Sequence, residues 1–209
     1  MKKQLLGLAK SLVLSSVLLL PFSRASAAIV YDNTTTDLTQ FYATNAEFGD
    51  PINLGGTDRL LTDFEFYGYT PVAAAGLTYV LRFYANVGTN PPTTAFFTGD
   101  PTPVVTGSQH YTVSGLSLAV PDSFTWTVQF SGPGAENTGL LLYNPPTVGT
   151  SLNDFWQNNG GAWSLAQING GATFANFAAR VTAVPEPGTI AVGAVGLLLL
   201  GYRLRRRSP

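Results

Sequence analysis

The 209-residue chain contains no cysteine, so disulfides, thiolate metal ligands and a cysteine nucleophile are all excluded. Histidine occurs once, at His110. A hydrolase triad would have to run through that residue, and a zinc site would be short of ligands. Neither a Gly-x-Ser-x-Gly elbow nor a phosphate-gripping glycine loop is present. Charge is sparse, at 11% of the residues. Between residues 28 and 183 there is no lysine, and Arg59, Arg82 and Arg180 stand against eleven carboxylates, a net charge of −8. Such a surface argues against nucleic acid and anionic lipid head groups as partners, and tolerates cations and neutral sugars.

The basic residues that are missing from the middle crowd the two ends. Lys2, Lys3 and Lys10 open the chain, Ser11 to Leu20 is apolar and uncharged, Pro21 breaks it, and Ala25-Ser26-Ala27 offers small residues. This is the layout of a secretory signal peptide over residues 1–27, cut by signal peptidase between Ala27 and Ala28. The uncharged run is too short for a retained span, which needs about 20 apolar residues.

At the other end, Val184-Pro185-Glu186-Pro187-Gly188 precedes an apolar run and then Arg203, Arg205, Arg206 and Arg207. Gly188 to Leu204 is 17 residues, which at about 1.5 Å each spans about 26 Å, the low limit for a transmembrane helix. The arginines place the C-terminus in the cytoplasm, so everything between the two apolar segments lies outside the inner membrane. The two prolines hold Val184–Pro187 extended, because each fixes its own φ and bars the preceding residue from the α region.

Motif, single short helix and terminal arginine cluster, in that order, closely resemble the PEP-CTERM sorting domain. The resemblance covers residues 184–209. It implies export by a bacterium with an outer membrane, a transient stay in the inner membrane, and processing near Pro185–Pro187 by an exosortase. It also implies delivery to the cell surface or beyond, in association with exopolysaccharide or biofilm. The segments Asn153–Trp156, Gly161–Leu165 and Asn176–Val181 are similar to ectodomains found ahead of such tails.

Residues 28–183 remain as one domain, long enough to bury a core. Period-two alternation marks strands. In Ser123–Phe130, Phe124, Trp126, Val128 and Phe130 alternate with Thr125, Thr127 and Gln129. Leu77–Asn86 alternates likewise, with Val80 the exception, and in Arg59–Tyr69 Leu60, Phe64 and Phe66 oppose Asp63, Glu65 and Tyr67. Weaker strands are expected at Ile29–Tyr31, Gln40–Ala43, Val104–Thr106, His110–Val113, Gly139–Tyr143 and Phe174–Val181, and Phe96-Phe97 reads as a further short strand on the core. Helical periodicity is absent. The expected fold is all-β, an antiparallel β-sandwich of jelly-roll-like kind, with an up-and-down barrel as the alternative.

Chemistry is thinly signalled. Asp63 and Glu65 share one face of a strand, where a glycosidase pair would be sought, but they read as its solvated side. Asp32-Asn33, Asp58 and Asn153-Asp154 are the candidates for calcium, without the spacing of a known loop, and such residues also make turns. Trp156 and Trp163 flank the Asn158–Gly161 turn. Trp126 and Trp163 read as core, whereas Trp156, together with Tyr143, is the candidate for stacking on sugar. The expected function is a non-enzymatic, exported surface or matrix protein with no cofactor. The alternatives are a carbohydrate-binding module and a polysaccharide-acting enzyme.

Overall fold

The computed structural model describes residues 26–86 and 93–186. The expected signal peptide up to Ala25, the apolar tail, Pro187 and the four terminal arginines lie outside the described residues, within which no helix is long and apolar enough to cross a membrane. Along the chain the strands are β1 (Ala28–Asp32), β2 (Asp37–Ala43), β3 (Glu47–Gly49), β4 (Pro51–Asn53) and β5 (Leu60–Thr70). Next come β6 (Thr78–Ala85), β7 (Ala95–Thr98), β8 (Thr102–Pro103), β9 (Gly107–Ala119) and β10 (Ser123–Ser131). The last are β11 (Gly139–Tyr143), β12 (Thr150–Ser151), β13 (Phe155–Asn159), β14 (Ala162–Ala166) and β15 (Ala179–Val184). Two short 3-10 turns, Ala135–Asn137 and Asn169–Gly171, accompany them.

All strand pairings among the described residues are antiparallel, and they form two sheets. In the first, β9 lies on one edge of β5, and β15 and β11 share the other; β1 then adds to β15 and β2 to β11. In the second, β7 and β8 flank β6, which pairs along its length with β10. β4 and β3 share the far edge of β10, β12 adds to β4, and β13 and β14 continue from β3.

The alternating pattern decides which faces meet. Phe124, Trp126, Val128 and Phe130 of β10 are buried against β5 of the opposite sheet. Phe64 places its ring centroid 4.9 Å from Phe83 and 5.2 Å from Trp126, and Phe66 lies 5.1 Å from Tyr79. Aromatic pairs at this range add about 0.5–1.5 kcal/mol beyond their area. One core therefore holds both sheets, in a sandwich-like arrangement.

Two expectations needed adjustment. In β5 the buried residue is Leu61, not Leu60, because the strand carries an extra residue at Thr62 against β15, which shifts the inward phase. In β9 the inward set likewise changes from Tyr111 and Val113 to Leu116 and Leu118 across Gly115, whose φ of 74° suits glycine. Val104–Thr106 is not a strand; pairing with β6 occurs at Thr102–Pro103, although Val104 is buried and donates its N–H to Leu77. Phe96 and Phe97 do form a strand, β7, with Phe97 stacked on Phe83 at 4.9 Å.

Trp126 touches both sheets, so Trp126→Ala should lower unfolding stability by about 3–5 kcal/mol in denaturant titrations of the intact chain. A loss below about 1 kcal/mol would show that the ring is not the joint described here.

Candidate functional site

The second sheet is curled, and its outer face forms a hollow. Tyr84 on β6 and Trp163 on β14 are separated by β10, β3 and β13, so four spacings of about 4.8 Å would hold them about 19 Å apart on a flat sheet. Their ring centroids are nevertheless 5.3 Å apart. Leaning side chains close only part of that gap, so the β13–β14 hairpin must fold back over the face. Trp163 is accordingly half-buried on this roof rather than in the core, whereas Trp126 is fully buried between the sheets.

Under the roof sits a paired carboxylate. Glu47 accepts hydrogen bonds from Tyr84 Oη at 2.8 Å and Thr127 Oγ1 at 2.6 Å, and Arg82 Nη1 lies 3.1 Å from its other oxygen. Burial, and then the bond to Glu47 and its charge, push the Tyr84 phenol upward. This network ties β3 to β6 across β10 and uses Glu47 for architecture.

Beside the network the hollow opens as a cleft of about 370 Å³ lined by Pro51, Asn53, Asn86, Ser123, Leu152, Asp154, Trp156 and Leu165. The size falls within the usual range of small-ligand sites, about 300–1,000 Å³. The register explains the lining. Trp156 pairs with Gly49 on one side and Leu165 on the other. Gly49 tolerates no Cβ, since one there would overlap the Trp126 carbonyl of β10, so β3 can lie this close to β10 only with glycine at that position. Trp156 is 8% exposed, so it serves as a wall of the cleft rather than a projecting platform.

Asp154 brings a half-buried carboxyl to the cleft, and burial pushes its pKa up. Behind it, Asp50 is fully buried opposite Trp126. Its Oδ2 accepts the Phe177 N–H at 2.6 Å, while Oδ1 has no partner. Burial raises its pKa well above the usual carboxylate range, the Phe177 bond opposes this, and the charge of Asp154 adds to it.

Tyr143 does not join Trp156. It lies on β11 in the first sheet, 9% exposed, with its ring 5.6 Å from Tyr67. The same outer face carries Asp32, Arg180, Glu65 and His110 as a chain of polar contacts. His110 Nε2 is 2.8 Å from Glu65, and Arg180 lies 3.6 Å from Glu65 and 3.3 Å from Asp32. Glu65 is thus tied to neighbours, and Asp63 sits two pairs further along β5, opposite Ser114.

The residues considered for calcium are dispersed. Asp32 accepts from Thr34, and Asn33 donates to the Tyr143 and Phe177 carbonyls. Asn153 bonds Gly171 and Ala175, and Asp58 gives its carbonyl to Arg59. Asp154 alone among them faces the cleft. Of the residues expected to form a sorting motif, Val184 is the last residue of β15, paired with Leu60, and exposed Glu186 follows Pro185 outside the sheet.

The sequence reading missed Asn53, Asn86, Ser123, Leu152 and Leu165. A signal existed for two of them: Asn86 and Ser123 stand at neighbouring ends of the two best-marked strands, which pair as Ala85 with Phe124. Comparison with protein-family models, with curated proteins and with solved structures finds no match.

The raised pKa of Asp50 has a definite sign. The folded chain keeps this proton at pH values where the unfolded chain has lost it, so the contribution is full below about pH 4 and declines as pH rises toward the folded value. Unfolding of Asp50→Asn and of the parent, compared from pH 4 to pH 8, should favour the variant increasingly as pH rises. A difference independent of pH would rule out a raised carboxyl.

Proposed function

We propose that this chain is an exported, non-enzymatic protein of the cell surface or extracellular matrix. It passes through a PEP-CTERM and exosortase type of pathway and associates with exopolysaccharide. Signal peptidase acts at its front and exosortase at its rear, and the tail holds it briefly in the inner membrane with the C-terminus inside.

One observation carries the reading. The first strand begins at Ala28, the residue after the expected cut, and the last ends at Val184, the first residue of the Pro-Glu-Pro motif. Ala28 and Ala183 are themselves paired, so both ends leave from one pole of the domain. The folded unit fills the interval between the two sorting segments, and both can be removed without touching a strand other than at its last residue.

A jelly-roll framework is part of the proposal. It is supported by the order β1-β15-β5-β9 in one sheet facing β4-β10-β6-β7 in the other, the arrangement of eight strands folded as two Greek keys. On this reading β11 to β14 are an insertion before the last strand. A polysaccharide-acting enzyme would need two carboxylates on one cleft, and among the described residues Asp154 is the one that lines it.

Intact mass of the protein recovered from the cell surface and medium tests the route. The expected product starts at Ala28 and lacks Arg205–Arg207. Glu186→Ala, at an exposed position outside the sheet, should leave the unfolding midpoint unchanged while the unprocessed chain accumulates in the membrane fraction. Surface protein that retains the arginines would refute the processing step.

A further inference from the structure

We infer that the cleft beside Trp156 binds one ring of a neutral sugar, with Trp156, Leu152 and Leu165 against its apolar side and Asp154, Asn86 and Asn53 on its hydroxyls. The inference goes beyond the sorting route proposed above and does not depend on it.

The lining has the two kinds of surface that such a ring presents. Trp156, Pro51, Leu152 and Leu165 supply apolar wall, and Leu152 and Leu165 are 64% and 52% exposed. Two large aliphatic side chains left in water at the mouth of one cleft mark a surface that gains by being covered. The polar groups are already oriented by the fold. Asn86 accepts from Thr125 Oγ1 at 2.6 Å through its carbonyl, which leaves its amide hydrogens for a ligand. Asn53 donates to Thr150 Oγ1 at 3.1 Å, which leaves its carbonyl oxygen. Ser123 adds a hydroxyl, and Asp154 adds a carboxylate able to accept from two neighbouring hydroxyls.

Charge selects among amphiphilic ligands. Arginine and lysine are absent from the described residues lining the cleft, and its one ionisable group is acidic. Uronic acids, phosphates and sulfated sugars would meet Asp154 without a counter-charge, in a setting where burial already disfavours its ionised form. A neutral polyol instead offers hydroxyl donors that favour it. Preorganisation matters here, because Asn53 and Asn86 are held by threonines and Trp156 by Gly49 and the hairpin, so few side chains need ordering on binding.

The test uses the full chain in a polyoxyethylene detergent, whose head group is not a sugar. Methyl glycosides of glucose, galactose, mannose, rhamnose and N-acetylglucosamine are titrated by calorimetry and by indole fluorescence. At least one should saturate. Asp154→Asn should weaken it about tenfold or more. Leu152→Ala, at an exposed position whose truncation spares the core, should weaken it several-fold. Methyl glucuronoside should bind at least about tenfold more weakly than the matching glucoside. Failure of the whole panel to saturate up to the solubility limit overturns the inference. So does saturation unaffected by both variants, or tighter binding of the glucuronoside.

Discussion

Trp126 is the joint of this molecule. Its indole lies between the sheets, 5.2 Å from Phe64, 6.0 Å from Phe66 and 6.4 Å from Phe177, counted between ring centroids. With no cysteine to staple the sheets together, stability must come from burial, and here burial is largely aromatic. Around that ring the main chain is pulled close as well. The Trp126 N–H donates to the Asp50 carbonyl, and the Asp50 carboxyl receives Phe177 from the segment that leads into the last strand. A single buried acid therefore sits where the two sheets are tied, and its cost is offset by the backbone it holds.

The same packing leaves the outer faces free to differ. On the first sheet, carboxylates and basic groups alternate in a surface chain from Asp32 to His110. On the second, the β13–β14 hairpin folds back over the outer face, and a cleft opens at one end. Two parts of the second sheet make this cleft together, Pro51, Asn53 and Ser123 from β4 and β10, and Trp156 and Leu165 from β13 and β14.

The long strands were legible in the sequence because their alternation spans several residues. Ser123–Ser131 and Thr78–Ala85 emerge nearly as read. Leu60 and Leu61 were exchanged because a bulge is a property of strand pairing, and one chain read alone does not reveal which partner is a residue shorter. β3 and β4 escaped notice since each is three residues long, and they meet at Gly49-Asp50-Pro51 with only Asp50 between them. The cleft was only half visible. Trp156 stood out as a large aromatic beside a turn, but Asn53, Asn86 and Ser123 come from distant segments that only the pairing of the sheet assembles. Tyr143 was grouped with Trp156 on chemistry, and the topology puts them on different sheets.

What unifies fold and fate is closure at Val184. The last strand lies between β1 and β5, and the chain leaves the sheet at Pro185. Amide hydrogen exchange along residues 176–186 of the intact chain measures this directly. Slow exchange through Val184, comparable with that of β5 and β10, followed by fast exchange at Glu186, is the predicted result. Fast exchange across Ala179–Val184 would contradict it, because the domain would then be open where the account requires it to be shut.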